Sequence, residues 1–255
     1  MLSNNDMNIF PVKVDVLDKN FDVFSRIVRG ITHDYNNLLT PILAYPEIIK
    51  MDIKEGTNGL SLMSSIETAA QELLNINRQL MYIISSESSD TIDTDVYDLM
   101  DSLKRSIDGV ADFEGIKLDI TCKKGMVIQC QYNDILTALQ KVVHNAWDAV
   151  DNKGSVKIVA EKTKLPTQDG HAQSGRDGKP YVCISIIDRG VGIDTRHMNC
   201  IFEPFFTTKK SPSKRTVGLG LTLAYRLIIN SGGLVGVESV AGQGVTMRIY
   251  LPAVG

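Results

Sequence analysis

Residues 21–49 read FDVFSRIVRGITHDYNNLLTPILAYPEII, and the spacing of their apolar side chains decides the first part of the fold. Phe21, Phe24, Val28, Ile31, Tyr35, Leu38, Ile42, Tyr45 and Ile49 follow one another at alternating intervals of three and four residues, which is the seam of a helix in a coiled coil. Leu62, Ile66, Ala69, Leu73, Ile76, Leu80 and Ile83 repeat that spacing. Between the two runs lies a short connection around Glu55 to Gly59, whose Gly56 and Gly59 act as helix stops. The pattern predicts a helical hairpin. A hairpin alone leaves too much of its stripe in water, so pairing with a second copy into a four-helix bundle is expected. Pro41 and Pro46 fall inside the first helix, where each removes a backbone donor and is expected to bend or loosen it.

Downstream the periodicity stops. Ser85 to Asp95 (SSESSDTIDTD) is polar and acidic and reads as an interdomain linker, separating a helical domain at 15–88 from a second domain at 89–255. There the pattern becomes mixed: helices near Val96 to Ile107, Asn133 to Val150 and Leu219 to Asn230, interspersed with strands. The strands are expected near Ile116 to Thr121, Met126 to Cys130, Ser155 to Glu161, Tyr181 to Asp188, Leu234 to Ser239 and Val245 to Leu251. Such a mixture indicates an α+β fold, with helices packed on a mixed or antiparallel sheet. Lys162 to Pro180 reads as a long exposed hairpin loop.

Composition narrows the function. With 255 residues, 43% of them apolar, the chain can bury two modest cores. Lys and Arg total 27 against 30 Asp and Glu, a net charge of -3 that offers no basic field for nucleic acid. The four cysteines form no CxxC pair or zinc spacing and suit reduced thiols. No run of about 18 apolar residues occurs and the start lacks a signal-peptide pattern, so a cytoplasmic chain without membrane insertion is expected.

Several short stretches carry candidate chemistry. His33 falls outside the seam, with Asp34 beside it to hold a ring proton and Asn37 one turn on to orient a water or phosphoryl oxygen. There is no P-loop and no dinucleotide fingerprint. Instead a helix ends in His144-Asn145-Ala146-Trp147-Asp148-Ala149, where the Asn145 amide oxygen can face a metal that carries phosphates. Asp188-Arg189-Gly190-Val191-Gly192 follows a strand and offers a carboxylate to an amino group such as that of adenine. Val217-Gly218-Leu219-Gly220-Leu221-Thr222 opens a helix whose free N–H groups suit phosphate. Between these lies IFEPFFTTKK (201–210) and then SPSKRT, with aromatics for a hinge and basic side chains for a mobile cover.

Taken in order, these stretches resemble the sensor histidine kinase family: His33-Asp34 with Asn37 its H-box, Asn145 to Ala149 its N-box, Asp188 to Gly192 its G1 box. Phe202 to Lys209 is similar to the F-box and Gly218 to Leu221 to the G2 box. The resemblance spans roughly residues 20 to 252 and extends to the wider ATPase superfamily of gyrase, heat-shock chaperone and mismatch-repair proteins. It implies a homodimer that uses ATP and Mg2+ to phosphorylate His33 and hands the group to an aspartate of a response regulator receiver domain. Asp34 would be the general base, and Asn37 would position water for a reverse phosphatase activity. Asn145 would bind the metal, and Asp188 the adenine. Asp148, Gly190, Gly192, Lys209, Gly218, Leu219, Gly220 and Leu221 would complete the nucleotide site.

The chain departs from the family pattern in four places. Lys141 stands where a second Asn is usual, Val245 and Met247 where Thr and Phe are common, and Leu38 where a Pro often follows the histidine. Three alternatives therefore stay open: a histidine phosphotransferase or phosphatase with a degenerate ATP site, a chaperone-type ATPase in which His33 is incidental, and a purely structural coiled coil. An upstream sensor domain or protein is implied but not identified.

Overall fold

The computed structural model describes residues 10–11, 14–50, 58–84, 91–108, 117–150, 154–164, 180–209 and 217–254. Two compact units result, one of Lys13–Ser86 and one of Met1–Val12 with Glu87–Gly255. Parts of the predicted hairpin connection, linker, 162–180 loop and lid lie outside the described residues.

The first unit is the expected hairpin. Helix α1 (Val14–Lys50) continues through Pro41 and Pro46, and packs along α2 (Asn58–Ile84). The side chains buried within one hairpin follow the heptad: Thr32, Leu39 and Pro46 on α1 and Ala70, Asn77 and Ile84 on α2 each recur at seven residues, with Val28, Leu80 and Ile83 at the intervening threes and fours. Much of the seam read from the sequence lies beside that contact. Ile31, Tyr35, Leu38, Ile42, Tyr45 and Ile49 are exposed in the single chain, as are Leu62, Ile66 and Leu73. The helices are apolar over a wider arc than one partner helix can cover.

The second unit is the α+β sandwich. A six-stranded sheet runs β1 (Phe10–Pro11), β7 (Leu234–Val240), β8 (Gly244–Pro252), β6 (Pro180–Ile187), β5 (Ser155–Lys164), β3 (Lys117–Cys122). All its pairs are antiparallel except β3 with β5. That parallel pair requires a crossover, which α4 (Tyr132–Ala149) supplies. Helix α4 packs on β5, β6 and β8, and α5 (Gly220–Asn230) on α4 and β7, while α3 (Val96–Asp108) lies against α4 and β3. Ile135, Ala138, Leu139, Val142, Val143, Ala146 and Trp147 form the buried stripe of α4, spaced by three and one as a helix face one-third apolar requires. Central strand β6 is buried on both faces. Val182, Ile184 and Ile186 alternate with Tyr181, Cys183 and Ser185, and Tyr181 and Cys183 cluster with Tyr250 and Leu234.

Two features correct the sequence reading. Part of the expected linker is a strand: β2 (Ile92–Asp95) pairs antiparallel with β4 (Val127–Cys130), from Ile92↔Cys130 to Asp95↔Val127. Only Thr94 of β2 is buried, so apolar periodicity carried no signal and the pairing with β4 is what orders it as a strand. Asp95 then accepts a hydrogen bond from Tyr97 N at 2.8 Å, turning the chain into α3. Edge strand β1 was also not foreseen; Phe10 and Pro11 stand opposite Val237 and Gly236.

Candidate nucleotide site and phosphoacceptor helix

The last turn of α4 places Asn145 and Asp148 three residues apart on one face. Lys209 arrives from the F-box-like segment and donates to both, with Nζ 3.1 Å from Asn145 Oδ1 and 2.8 Å from Asp148 Oδ2. His144 Nδ1 lies 3.4 Å from the same carboxylate oxygen, one turn earlier on the helix. The Asp148 side chain is 7% exposed. Burial works against its charge, but the hydrogen bonds and charges of His144 and Lys209 outweigh burial and hold its carboxyl well below the usual range. Asn145 oxygen thus already serves a cation. One turn earlier, burial pushes the Lys141 ammonium pKa down.

Asp188 follows the last residue of β6 and is 5% exposed. Its Oδ1 accepts from Gly190 N at 2.8 Å and Val245 N at 3.2 Å, and among the described residues Oδ2 has no protein partner. Burial raises its pKa, and the two backbone bonds oppose that rise. The unusual Val245 therefore changes only a side chain; its backbone N–H still orients the carboxylate. The loop beyond is pinned on two sides. Val191 N donates to Ala149 O at 3.2 Å, and Ile193 N to Ser239 Oγ at 2.8 Å, which fixes Gly190 and Gly192 between α4 and the β7–β8 turn.

Gly218 requires glycine, and Gly220 sits in open space. Gly218 has φ 74, and a Cβ there would come within 2.6 Å of the Phe205 carbonyl carbon. Phe205 N donates to Gly218 O at 3.0 Å, tying the F-box-like segment to the start of α5. Phe202 is buried against Tyr225, ring centroids 5.1 Å apart, and anchors the same segment on α5. Gly220 is different: a Cβ there would meet nothing within 4 Å. It opens α5 without a side-chain cap from Leu219, so among the described residues the first helix N–H groups border open space, as phosphate recognition needs. Leu219 is buried and Leu221 half-buried, anchoring that turn.

His33, Asp34 and Asn37 lie in α1; their side chains are outside those described. Sequence reasoning missed His144 as a partner of Asp148, although their spacing of four was a usable signal. It also missed the bridge from Lys209, which pattern alone does not reveal across 61 residues.

Residues 130–255 match the family of histidine kinase-, DNA gyrase B- and HSP90-like ATPases. Over 232 residues the chain is 28% identical to sensor kinase CckA of Brucella abortus, covering 89% of this chain. It resembles a sensor histidine kinase. AtoS of Escherichia coli, a signal transduction histidine-protein kinase, is 25% identical over 234 residues and again covers 89% of this chain. The chain spans only 24% of that sensor kinase CckA and 34% of that AtoS histidine kinase. Its fold is also that of a solved structure, full-length ShkA in complex with AMPPNP, with TM-score 0.70, 19% identity, and coverage of 89% of this chain and 46% of ShkA. Among the described residues, no helix of this histidine kinase-like chain is long and apolar enough to cross a membrane.

Proposed function

We propose that the chain is the catalytic core of a cytoplasmic sensor histidine kinase, with domains at 15–88 and 89–255, acting as a homodimer. The observation that carries this reading is the meeting of Asn145 and Asp148 at the end of α4 with Lys209, on a segment that Phe205 ties to the start of α5, where Gly220 leaves room for a ligand. Asp188 Oδ2 accepts from the adenine amino group while its Oδ1 stays fixed by Gly190 and Val245. The first N–H groups of α5 bind the phosphates, and Lys209 moves from Asp148 onto them. Asn145 is the residue that would hold Mg2+, which neutralises phosphate charge when bound.

The His33 imidazole attacks the γ-phosphorus; an N–P bond forms as the bond to the β-phosphate oxygen breaks and ADP leaves. Asp34 takes the ring proton. The group then passes to an aspartate carboxylate of a response regulator receiver domain, and Asn37 orients water for the reverse phosphatase reaction. Catalysis is mainly positioning and charge neutralisation. Support for the dimer comes from the exposed apolar stripe of α1 and α2, which a second copy covers as a four-helix bundle.

The test is incubation of the full chain with MgATP labelled on the γ-phosphate, beside His33→Ala and Asn145→Ala. An acid-labile, alkali-stable label present in the parent and lost in both variants is expected. A well-folded parent dimer that takes no label sinks the reading.

A further inference from the structure

Helix α2 carries a buried amide that neither the motifs nor the nucleotide site uses. Asn77 is 3% exposed within the apolar contact of the hairpin. Its Nδ2 donates to the Thr32 carbonyl at 3.1 Å and to Asn36 Oδ1 at 2.6 Å, two acceptors one turn apart on α1 that bracket His33 and Asp34 in sequence. Thr32 is itself 1% exposed; its single hydroxyl proton goes to the Val28 carbonyl at 2.7 Å, and the hydroxyl oxygen also lies against Met81 Sδ of α2 at 3.0 Å. Residues 32 and 36 on one helix therefore meet 77 and 81 on the other, a clasp one turn long whose Thr32 and Asn77 are the polar members among the buried described side chains of the hairpin; the other polar link between the helices, Lys50 to Glu67, is partly exposed at the far end.

This arrangement is costly as a source of stability. Asn77 Oδ1 is buried with no hydrogen-bond partner among the described residues, a desolvation cost that an apolar side chain avoids. Apolar packing along a heptad tolerates sliding and rotation of one helix on the other, whereas a polar contact with fixed partners specifies register. The clasp sets that register at the turn bearing His33.

We infer that Asn77 is a positioning residue for phosphoryl transfer, locking the axial register and rotation of α1 on α2 so that the His33 turn is presented in one geometry. This rests on the histidine kinase reading above. Asn77 acts through Thr32 and Asn36, without touching nucleotide.

The test compares the full-length chain with N77L and N77D in three measurements: the rate of phosphohistidine formation at saturating MgATP, the KM for ATP, and the thermal midpoint. N77L removes both donors and suits the apolar seam, so its midpoint holds or rises while its rate falls on the order of tenfold at unchanged KM. N77D keeps the size and lets the Asn36 amide turn and donate across the seam, while the bond to the Thr32 carbonyl is lost, so one of the two links survives. It retains more rate than N77L, although a buried carboxylate lowers its midpoint. Rates in the order parent, N77D, N77L against midpoints in the order N77L, parent, N77D are the expected signature. Rates that track the midpoints, or N77L labelling as fast as the parent, overturn the inference. A parent that takes no label overturns the kinase reading instead, and the register is then read by NMR of 13C-histidine. N77L must shift or split the His33 signal and leave those of His144 and His197 in place; an unchanged His33 signal overturns the inference.

Discussion

The two units solve the problem of burying apolar surface in opposite ways. In the ATPase-like unit, Trp147 is 1% exposed and Leu139, Ile158 and Ile184 are fully buried, so sheet and helices close a core within one chain. In the helical unit, Leu38 and Leu62 are each 62% exposed and Tyr45 60%, although they belong to the same regular pattern that forms the helices. A layered sandwich completes itself, whereas a two-helix hairpin has no third layer. On the function proposed above, the contrast suits a nucleotide site assembled within one chain and a phosphoacceptor helix whose apolar face a second copy would cover.

The largest expected effect tests the self-sufficient side. Trp147→Ala should destabilise the ATPase-like unit by about 3–5 kcal/mol, leaving a cavity under the Asn145 turn. Denaturant unfolding should then show this unit melting well before the helices; coincident melting would break the distinction between the units. Asp188→Asn should weaken binding of a non-hydrolysable ATP analogue by roughly 1.5–3 kcal/mol in calorimetry, as a charged acceptor is lost. Its stability should move the other way. Burial raises the Asp188 pKa, so the folded state binds that proton more tightly, and stability falls as pH rises from the unfolded carboxyl value through the raised folded one. D188N should therefore gain in melting temperature at pH 7 relative to the parent, and less at pH 4.

Leu38→Glu probes the unfinished side. It should raise the dimer dissociation constant on the order of tenfold in sedimentation, while altering the dilute chain by less than about 0.5 kcal/mol, the usual bound for exposed positions. A dimer left intact would mean that the stripe of Leu38 is not the seam. The smallest effect belongs to Lys209→Met, which should cost the nucleotide-free chain up to about 1 kcal/mol, discounted for the 32% exposure of Lys209. Asp148 is held below its usual range, so its contribution is present above the unfolded carboxyl value and disappears as pH falls through the lower folded one. The gap between K209M and the parent should close in acid.

What the sequence revealed differed between the units for the same reason. Helix α1 announced itself because alternating intervals of three and four from Phe21 to Ile49 are a local property of one strand of chain. The sequence could not say which arc would face α2, because that depends on the partner; Thr32 and Asn77, both polar, ended inside while Leu38 stayed out. In the second unit the strands with apolar runs were legible, and β2 was not, since its order comes from the ladder to β4. The Asp188 carboxylate was recognisable at a strand end, but its clamp by Val245 N spans 57 residues and follows from the register of β6 on β8. The bridge of Lys209 to Asn145 and Asp148 likewise belongs to the fold rather than to any segment.

Because the Lys209 ammonium already satisfies the Asn145 oxygen and the Asp148 carboxylate, a bare divalent ion would face a tethered rival. An ammonium on so short a leash has an effective concentration on the order of millimolar. On the function proposed above, Asn145 would therefore hold a metal more readily when phosphates arrive with it to take the Lys209 ammonium than when the ion comes alone.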